Sequence, residues 1–241
     1  MAKIHIILQG KGGVGKSVIA ATIAQFVAEK GQTPLCIDTD PVNSTFAGYK
    51  ALNVNRLNII EDDEINTRNF DALIEQISTT ENDVIIDNGA SSFVPLAHYL
   101  TSNEVPALLK EMGHELIIHS VITGGQALLD TLSGFSQLVT QFPDEASFVV
   151  WLNPYWGVVE HEGKPFEQLQ AYKSNKNFVS AIVSIPDLKK DTYGRDFSEM
   201  LQARKTFSEV LNDESLTIMT RQRLKIVREK LFAQLEQSVI I

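Results

Sequence analysis

The sequence GKGGVGKS at residues 10–17 constrains the fold of this chain more than any other stretch. It fits the phosphate-binding pattern G-x-x-x-x-G-K-[ST], in which a glycine-rich loop turns backbone N–H groups toward phosphate oxygens. An apolar, β-branched run at residues 4–8 precedes it, and helix formers at residues 18–28 follow it. A strand, a glycine-rich turn and a helix N-terminus together predict a phosphate cradle. We expect Lys16 to reach the β- and γ-phosphates and Ser17 to place its hydroxyl on Mg²⁺.

Short apolar runs alternate with helix-like segments along the rest of the chain. The sequence predicts further strands at residues 34–38, 83–87, 116–121, 148–152 and 179–185, and helices at residues 70–77, 127–142 and 166–172. Residues 42–66 are polar and predict a loop with one short strand at 57–60. The alternation predicts an α/β fold with a doubly wound, mostly parallel sheet and helices on both faces. Without repeats or a linker, we expect one domain over residues 1–241.

Composition excludes several classes of protein. The net charge of −9 on 241 residues argues against a protein that coats nucleic acid through a global positive field. The single cysteine, Cys36, excludes a disulfide framework within the chain and a cysteine-rich metal site from one chain. No pair of the five histidines has the spacing of metal ligands. Since neither a signal peptide nor a membrane-length apolar run is evident, we expect a soluble, cytoplasmic protein.

Carboxylates follow two of the predicted strands. Asp38 and Asp40 come at the end of the second strand, and Asp87 closes the strand at residues 83–87. Open α/β sheets bind ligands at the carboxyl ends of their strands, so these acids are expected beside the phosphate loop. An apolar strand that ends in aspartate behind such a loop is the Walker B pattern, in which the carboxylate meets the Mg²⁺ shell.

A second lysine, Lys11, directly follows the first glycine of the loop. With this lysine, and with Asp38, Asp40 and Asp87 in that order, the whole chain resembles the ParA/MinD group of deviant Walker A ATPases. Within the group it resembles most closely the conjugal-transfer proteins of broad-host-range plasmids, especially at residues 35–43, 87–95 and 151–157.

The resemblance implies catalytic roles for four residues. Lys11 would be the signature lysine, which reaches across a nucleotide-sandwich dimer to the partner's phosphates, as an arginine finger does. Asp40 would orient the attacking water, and Asp38 would support it or the metal shell. Lys16 would hold the phosphates of its own subunit. The implied metal-binding residues are Ser17, Asp38 and Asp87.

The resemblance also implies where the nucleotide lies. Asn153 would contact adenine, and Pro186 and Asp187 would line the base through their backbone. Because no Asn-Lys-x-Asp guanine motif occurs there, ATP and ADP are favoured over GTP. Trp151 and Trp156 flank Asn153. Their side chains are expected either to border the nucleotide or to pack at the edge of the sheet. The implied nucleotide-binding residues are Gly12, Gly13, Val14, Gly15, Lys16, Ser17, Val18, Asn153, Pro186 and Asp187.

Two positions depart from the pattern of the group. Pro41, Val42 and Asn43 follow Asp40 where partition proteins often carry Pro-Gln, and Asn88-Gly89 replaces a proline pair after Walker B. Both departures lie in segments expected to move between nucleotide states. They therefore affect the expected rate of hydrolysis and the coupling of hydrolysis to conformational change, but not the expectation of nucleotide binding.

The implied function is an ATP-binding, slowly hydrolysing, Mg²⁺-dependent ATPase that forms a homodimer with ATP and acts as a switch. Its setting would be plasmid conjugation, with a protein partner in the transfer machinery and recruitment to the cell pole or the inner-membrane face. Three alternatives stay open: a plasmid-partition-like ATPase, a nucleotide-dependent scaffold with negligible hydrolysis, and a metabolic ATP-dependent phosphotransferase or ligase. Iron–sulfur carriage is disfavoured because that role needs two cysteines per subunit.

The predicted C-terminal helix, at about residues 216–238, is basic and amphipathic. It carries Arg221, Arg223, Lys225, Arg228 and Lys230 against Glu229 and Glu236, a net charge of five less two, or +3. Such a helix can bind a membrane, DNA or a partner. Its regular stripe of Leu224, Val227, Leu231 and Leu235 favours the other interpretation, a helix packed on the sheet with a solvated basic face.

Overall fold

The computed structural model describes residues 1–142 and 146–238, so the predicted domain span of 1–241 includes six residues outside the described part. The strands are β1 (Lys3–Ile7), β2 (Leu35–Asp38), β3 (Asn55–Arg56), β4 (Ile60–Glu61), β5 (Glu64–Ile65), β6 (Val84–Asp87), β7 (Glu115–Thr123), β8 (Ser147–Asn153), β9 (Glu160–His161), β10 (Lys164–Pro165) and β11 (Val179–Ser184). The helices are α1 (Lys16–Glu29), α2 (Asp71–Ser78), α3 (Phe93–Ser102), α4 (Val105–Glu111), α5 (Leu128–Gln141), α6 (Gln170–Asn175), α7 (Arg195–Gln202), α8 (Phe207–Leu211) and α9 (Ile218–Gln237).

A seven-stranded sheet forms the centre of the described chain. Its order is β11-β8-β7-β1-β6-β2-β3, and every neighbouring pair is parallel. Alternate residues of β1 point to opposite faces: Ile4 and Ile6 pack among α2 to α5, whereas Ile7 packs among α1 and α7 to α9. Because both faces are covered, the central strands are mostly apolar, although they also bury a few polar side chains, His5 and His119 among them. The predicted α/β, doubly wound fold is confirmed.

The region at residues 42–66 contains more structure than the sequence predicts, and the short strand expected at 57–60 is wrong. Asn55–Arg56 instead adds β3 to the edge of β2, and Ile60–Glu61 pairs with Glu64–Ile65 in an antiparallel hairpin. Asp62 and Asp63 both adopt positive φ, at 50° and 63°, which closes this hairpin tightly. Non-glycine residues seldom adopt this backbone conformation. Two aspartates therefore gave no indication of a tight turn in the sequence.

Helix boundaries also differ from expectation in places. The helix predicted at 166–172 is a short turn at Phe166–Gln168 followed by α6, because Leu169 between them is extended, with ψ of 151°. Helices α3, α4, α7 and α8 are not predicted at all. Pro95 and Pro106 lie in the first turns of α3 and α4, where proline is tolerated but obscures a helical pattern.

Helix α9 packs on the sheet, as the second interpretation of the C-terminal helix predicts. Leu224, Val227, Leu231 and Leu235 are all buried against α1, α7 and α8. Arg223 is paired with Asp196, and Arg228 Nη1 lies 3.4 Å from Glu29 Oε2. The apolar stripe is therefore occupied within the chain. None of the described helices has the length and apolar character needed to cross a membrane.

A chain of buried polar rings crosses three central strands. Trp151 Nε1 donates to His119 Nδ1 at 3.0 Å, and His119 Nε2 lies 3.0 Å from His5 Nδ1. Since an indole N–H can only donate, His119 accepts at Nδ1 and must donate from Nε2 to His5. Both histidines are thus neutral in the folded protein. Burial lowers the pKa of His5 to about 3 and holds the pKa of His119 well below its ordinary value. Trp151 packs inside the sheet rather than at its edge.

We predict that these histidines make stability fall as the pH drops. Unfolded histidines take up protons near pH 6.5, whereas His5 and His119 stay neutral in the fold. Their contribution to the free energy of unfolding is therefore complete above about pH 6.5 and falls as the pH drops below it, by up to about 1.4 kcal/mol per pH unit for each histidine. Urea unfolding of the wild type and of His5→Phe/His119→Phe between pH 7.5 and 5 measures the difference.

The matched control is His161→Asn, which changes an exposed histidine and should keep the pH dependence of the wild type. Comparing variants at each pH removes the contribution of buried carboxylates, which is common to all three proteins. Equal pH slopes for the wild type and the double variant would contradict the prediction.

Candidate nucleotide-binding site

The loop between β1 and α1 has the backbone of a phosphate cradle. Gly13 and Gly15 adopt left-handed conformations, with φ of 72° and 101°. A Cβ atom on Gly15 would also lie 2.9 Å from Asn153 Nδ2, so glycine is needed there for space as well as for conformation. Helix α1 begins at Lys16, and no side chain of the described residues caps it. Its first N–H groups are left to bind an anion, and they include those of Ser17 and Val18.

Lys16 lies inside the loop. Its side chain is almost fully buried, and Nζ donates to the Lys11 carbonyl at 3.0 Å. Burial lowers the pKa of Lys16, while the charges of Asp87 and Asp40 raise it. The three predicted residues therefore share one electrostatic environment, in which a buried ammonium faces two carboxylates.

Asp87 is the least satisfied polar group of this environment. It is 1% exposed at the end of β6, and neither carboxylate oxygen has a hydrogen-bond partner among the described residues. Burial raises the pKa of Asp87 to about 7, although the Ser17 hydroxyl, which lies near the carboxylate but outside hydrogen-bond geometry, and the Lys16 ammonium act in the opposite direction. Buried polar groups are normally paired. An unpaired carboxylate beside Ser17 fits the outer shell of a Mg²⁺ ion, whose ligands are oxygens and water.

Asp38 and Asp40 shape the segment that follows β2. Asp38 is fully buried; its Oδ1 accepts from Asp40 N at 2.9 Å and its Oδ2 from Ala47 N at 2.8 Å. Burial raises the pKa of Asp38, and these two hydrogen bonds lower it. Asp40 is half-buried, and its Oδ1 accepts from the backbone of Val42 and Asn43 at 2.9 and 3.1 Å. Both acids thus hold backbone N–H groups, and the roles predicted for them in catalysis stay predictions.

Asn153 contacts the phosphate loop directly. Its Nδ2 donates to the Val14 carbonyl at 2.8 Å, and its Oδ1 accepts from Tyr155 N at 3.1 Å. It is 8% exposed at the end of β8, so its amide braces the loop in this conformation. The half-buried Pro186 and the exposed Asp187 follow β11, the neighbouring strand, at the same edge of the sheet. Adenine contact by these three residues stays a prediction.

Two contacts at the loop escaped the sequence analysis. Lys11 Nζ lies 2.8 Å from Asp130 Oδ2 in the first turn of α5, with side chains 45% and 58% exposed. Trp156 Nε1 donates to the Gly13 carbonyl at 3.3 Å, so Trp156 borders the loop. The second contact depends on Gly124, because a Cβ atom there would lie 2.1 Å from the Gly157 carbonyl oxygen. No local pattern marks Asp130, which is 119 residues from Lys11.

No group of three or more His, Cys, Asp or Glu side chains in residues 1–142 and 146–238 is arranged to hold a metal ion. A Mg²⁺ ion bound with phosphate in this loop would have the Ser17 hydroxyl and, through water, the Asp87 carboxylate near it.

Comparison with known proteins identifies the family. The family model described as the CobQ/CobB/MinD/ParA nucleotide binding domain matches residues 5–227. The chain belongs to this family. Two curated relatives, both called Protein TraL from Escherichia coli, are 73% and 72% identical over 241 residues, which is the whole of this chain and of each relative.

Solved structures of the MinD/ParA branch share the fold. The cell division ATPase MinD of Pyrococcus furiosus superposes with a TM-score of 0.58 at 15% identity, over 98% of this chain and 99% of that one. The MinC:MinD complex of Aquifex aeolicus gives 0.56 at 16% identity, with 96% of each chain covered. At these identities the likeness establishes the fold alone. The family resemblance expected from Lys11 and the strand-end acids is confirmed, and with it a nucleotide-binding domain of the CobQ/CobB/MinD/ParA family.

We predict that Asp87→Asn stabilises the nucleotide-free protein above neutral pH. The pKa of Asp87 rises from 3.8 to about 7 on folding, so its ionised form lowers stability progressively from pH 3.8 upward. After the cost of burying an amide, we expect the free energy of unfolding to increase by about 1–3 kcal/mol at pH 8. The gain should be small at pH 4, because there the folded carboxyl is protonated and ionisation of the unfolded one has only begun to lower stability. Urea unfolding at the two pH values measures it.

Asp130→Asn is the control, because it changes an exposed acid in the same site. It should alter stability by less than about 1 kcal/mol at either pH. If Asp87→Asn and the wild type differ equally at pH 4 and pH 8, burial of an ionised carboxylate is not the cause.

Proposed function

We propose that this chain is a Mg²⁺-dependent ATPase that binds ATP in the loop at residues 10–17, hydrolyses it slowly and forms a homodimer in the ATP-bound state. The observation that carries the proposal is the buried ammonium of Lys16 beside the unpaired carboxylate of Asp87, at the N-terminus of α1. A loop of inward N–H groups with one buried cation suits a triphosphate, and an unpaired carboxylate at its edge suits the metal that accompanies it.

Binding would use the whole carboxyl edge of the sheet. The backbone from Gly12 to Val18 and the side chain of Lys16 would hold the phosphates. Ser17 and Asp87 would hold Mg²⁺, which when bound neutralises charge on the phosphates. Asn153, Pro186 and Asp187 would line adenine. Asp38 has both oxygens bonded to backbone N–H groups, which supports a positioning role in this conformation and leaves Asp87 as the better metal candidate.

Hydrolysis would depend on placing a water molecule against the γ-phosphate. Asp40 is the candidate for this task, because it lies within the electrostatic reach of Lys16 and at the mouth of the loop. Its Oδ1 accepts from the backbone of Val42 and Asn43, whereas the one contact of Oδ2 among the described residues is the Asn43 side chain at 3.5 Å, so Oδ2 is the oxygen that can hold water. Because Asp40 also binds the backbone of Val42 and Asn43, movement of Asp40 with the nucleotide would change the segment after β2, which supports a switch.

A homodimer is supported by the apolar residues around the loop. Large exposed side chains lie in the segments after β2, β6, β7 and β8, all at the carboxyl edge of the sheet; they are Val42, Val94, Leu129, Tyr155, Trp156 and Val158. Grouped exposed apolar residues indicate an interaction surface. Lys11 lies on the same face, and its exposed pair with Asp130 costs only about 0–1 kcal/mol to break. Lys11 is therefore available to a second subunit.

The biological setting rests on similarity over full length to the TraL proteins. We assign the switch to plasmid conjugation, with a partner in the transfer machinery and recruitment to the pole or the inner-membrane face. Membrane contact through α9 is not favoured because its apolar stripe is buried, and DNA contact is not favoured because Arg223 and Arg228 are paired with Asp196 and Glu29. We further propose that the chain acts as one nucleotide-binding domain, since both apolar clusters share the central sheet.

Size-exclusion chromatography with light scattering tests the proposal on the wild type, Lys11→Ala and Asp40→Ala, each with ADP and with ATP and Mg²⁺. We expect a dimer of the wild type with ATP only. Asp40→Ala should prolong the dimer and lower ATP turnover by about 10²-fold or more, because it removes the group that places water. Lys11→Ala should weaken the dimer, because the partner's phosphates lose a cation.

Lys110→Ala is a matched control, since it removes an exposed lysine at the end of α4, by the opposite edge of the sheet. It should behave as the wild type does. A monomer under every condition would reject the switch. ATP binding with no measurable turnover, in the wild type as in Asp40→Ala, would favour the nucleotide-dependent scaffold instead.

A further inference from the structure

A buried hydrogen-bond network joins the two segments that follow β2 and β6. These strands are neighbours, with Asp38 opposite Asp87, and Thr39 N extends the ladder to the Asp87 carbonyl at 2.9 Å. Beyond the ends of the strands, the side chain of Asn88 connects the two segments. Its Oδ1 lies 3.0 Å from Thr39 Oγ1 and 2.8 Å from Ser92 Oγ. Thr39, Asn88 and Ser92 are 0%, 1% and 0% exposed.

The orientation of the Asn88 amide follows from its neighbours. Nδ2 lies 3.0 Å from the Gly89 carbonyl, which can only accept, so the amino group must face Gly89. Oδ1 then faces the two hydroxyls, and both can donate to it. The Ser92 hydroxyl also lies 3.3 Å from the Gly89 carbonyl and 3.5 Å from that of Thr39. One buried amide thus holds residues of both segments, and such networks are costly to leave half-satisfied.

Gly89 brings the network to Asp40. A Cβ atom on Gly89 would lie 2.7 Å from Asp40 Oδ1 and 3.1 Å from Asp40 Cα. The backbone of Gly89 therefore forms the surface on which the Asp40 carboxylate rests. A shift of either segment changes the room available to this carboxylate.

We propose that Asn88 is a positioning residue: it couples the segment after β6 to the segment after β2 and, through Gly89, sets where Asp40 stands. This inference rests on the proposed function for the role of Asp40, but the coupling itself does not. It gives a physical role to the Asn-Gly pair that departs from the pattern of the ParA/MinD group. Asn88 ties the segments and Gly89 leaves space for the acid.

Hydrogen exchange of the full chain without nucleotide tests the coupling. The amides of Thr39, Asp40, Val42 and Asn43 are all hydrogen-bonded, so their exchange reports on the segment after β2. In Asn88→Ala we expect exchange to quicken about tenfold in both segments, at residues 39–43 and 88–93, because both lose the amide that joins them. Ser92→Ala should produce the same pattern more weakly, and it serves as the second variant if Asn88→Ala folds poorly.

Ser91→Ala is the matched control, because Ser91 is an exposed hydroxyl beside the network. It should leave exchange in both segments unchanged. If Asn88→Ala and Ser92→Ala quicken exchange only at residues 88–93, the segments are not coupled and the proposal is overturned.

Single-turnover hydrolysis tests the link to Asp40. Gly89→Ala should displace the carboxylate and lower the rate about 10²-fold, while the Kd for ATP stays within about threefold of the wild type. In an Asp40→Ala background the same substitution should change the rate by less than about twofold, since the group it displaces is gone. Equal losses in the two backgrounds would show that Gly89 does not act through Asp40.

The two experiments fail in different ways. If the wild type hydrolyses no ATP, the proposed function is rejected, and the exchange experiment still decides whether Asn88 couples the segments. If the wild type hydrolyses ATP and exchange changes in one segment only, the proposed function stands and this inference falls.

Discussion

The orientation of a few peptide groups in the loop after β1 is the constraint on which the rest of the site depends. A peptide points its C=O and its N–H in opposite directions, so holding a carbonyl from outside helps to turn amides inward. Asn153 holds the Val14 carbonyl and Trp156 the Gly13 carbonyl, each from the turn after β8. Gly13 and Gly15 supply the left-handed backbone that this geometry needs. The loop is shaped by a strand two places away in the sheet as much as by its own sequence.

Parallel topology explains why so many polar groups meet at one edge. The carboxyl ends of β8, β7, β1, β6 and β2 follow one another in that order along one edge of the sheet, which brings Asp38, Asp87 and Asn153 to the loop. The two acids are equally buried but differ in hydrogen bonding: Asp38 accepts from two backbone N–H groups, whereas Asp87 has no partner among the described residues. An acid left unpaired lowers the stability of the empty protein, a cost commonly found at sites kept ready for a ligand.

Much of this arrangement could be predicted from the sequence, because it depends on local pattern. The phosphate loop, β1, α1 and the acids at strand ends follow from residue spacing and from the rules of parallel sheets. The pairing of Lys11 with Asp130 and the network around Asn88 could not, since each joins residues far apart in the chain. In the sequence, Asn88-Gly89 is only a departure from the proline pair that the ParA/MinD group carries after Walker B. The contacts of these two residues with Thr39, Ser92 and Asp40 give the departure a physical reason. The hairpin of β4 and β5 was missed because two aspartates adopt positive φ.

The chain has two tryptophans, and they differ strongly in solvent exposure and in hydrogen-bond partner. Trp151 is sealed in the sheet and donates to His119, whereas Trp156 is 60% exposed and donates to the phosphate loop. We therefore expect their emission to separate into a blue component shielded from quenchers and a red component open to them. The first reports on the integrity of the core, and the second on the loop. The protein thus carries an intrinsic optical probe of its phosphate loop together with an internal reference, and it needs no added label.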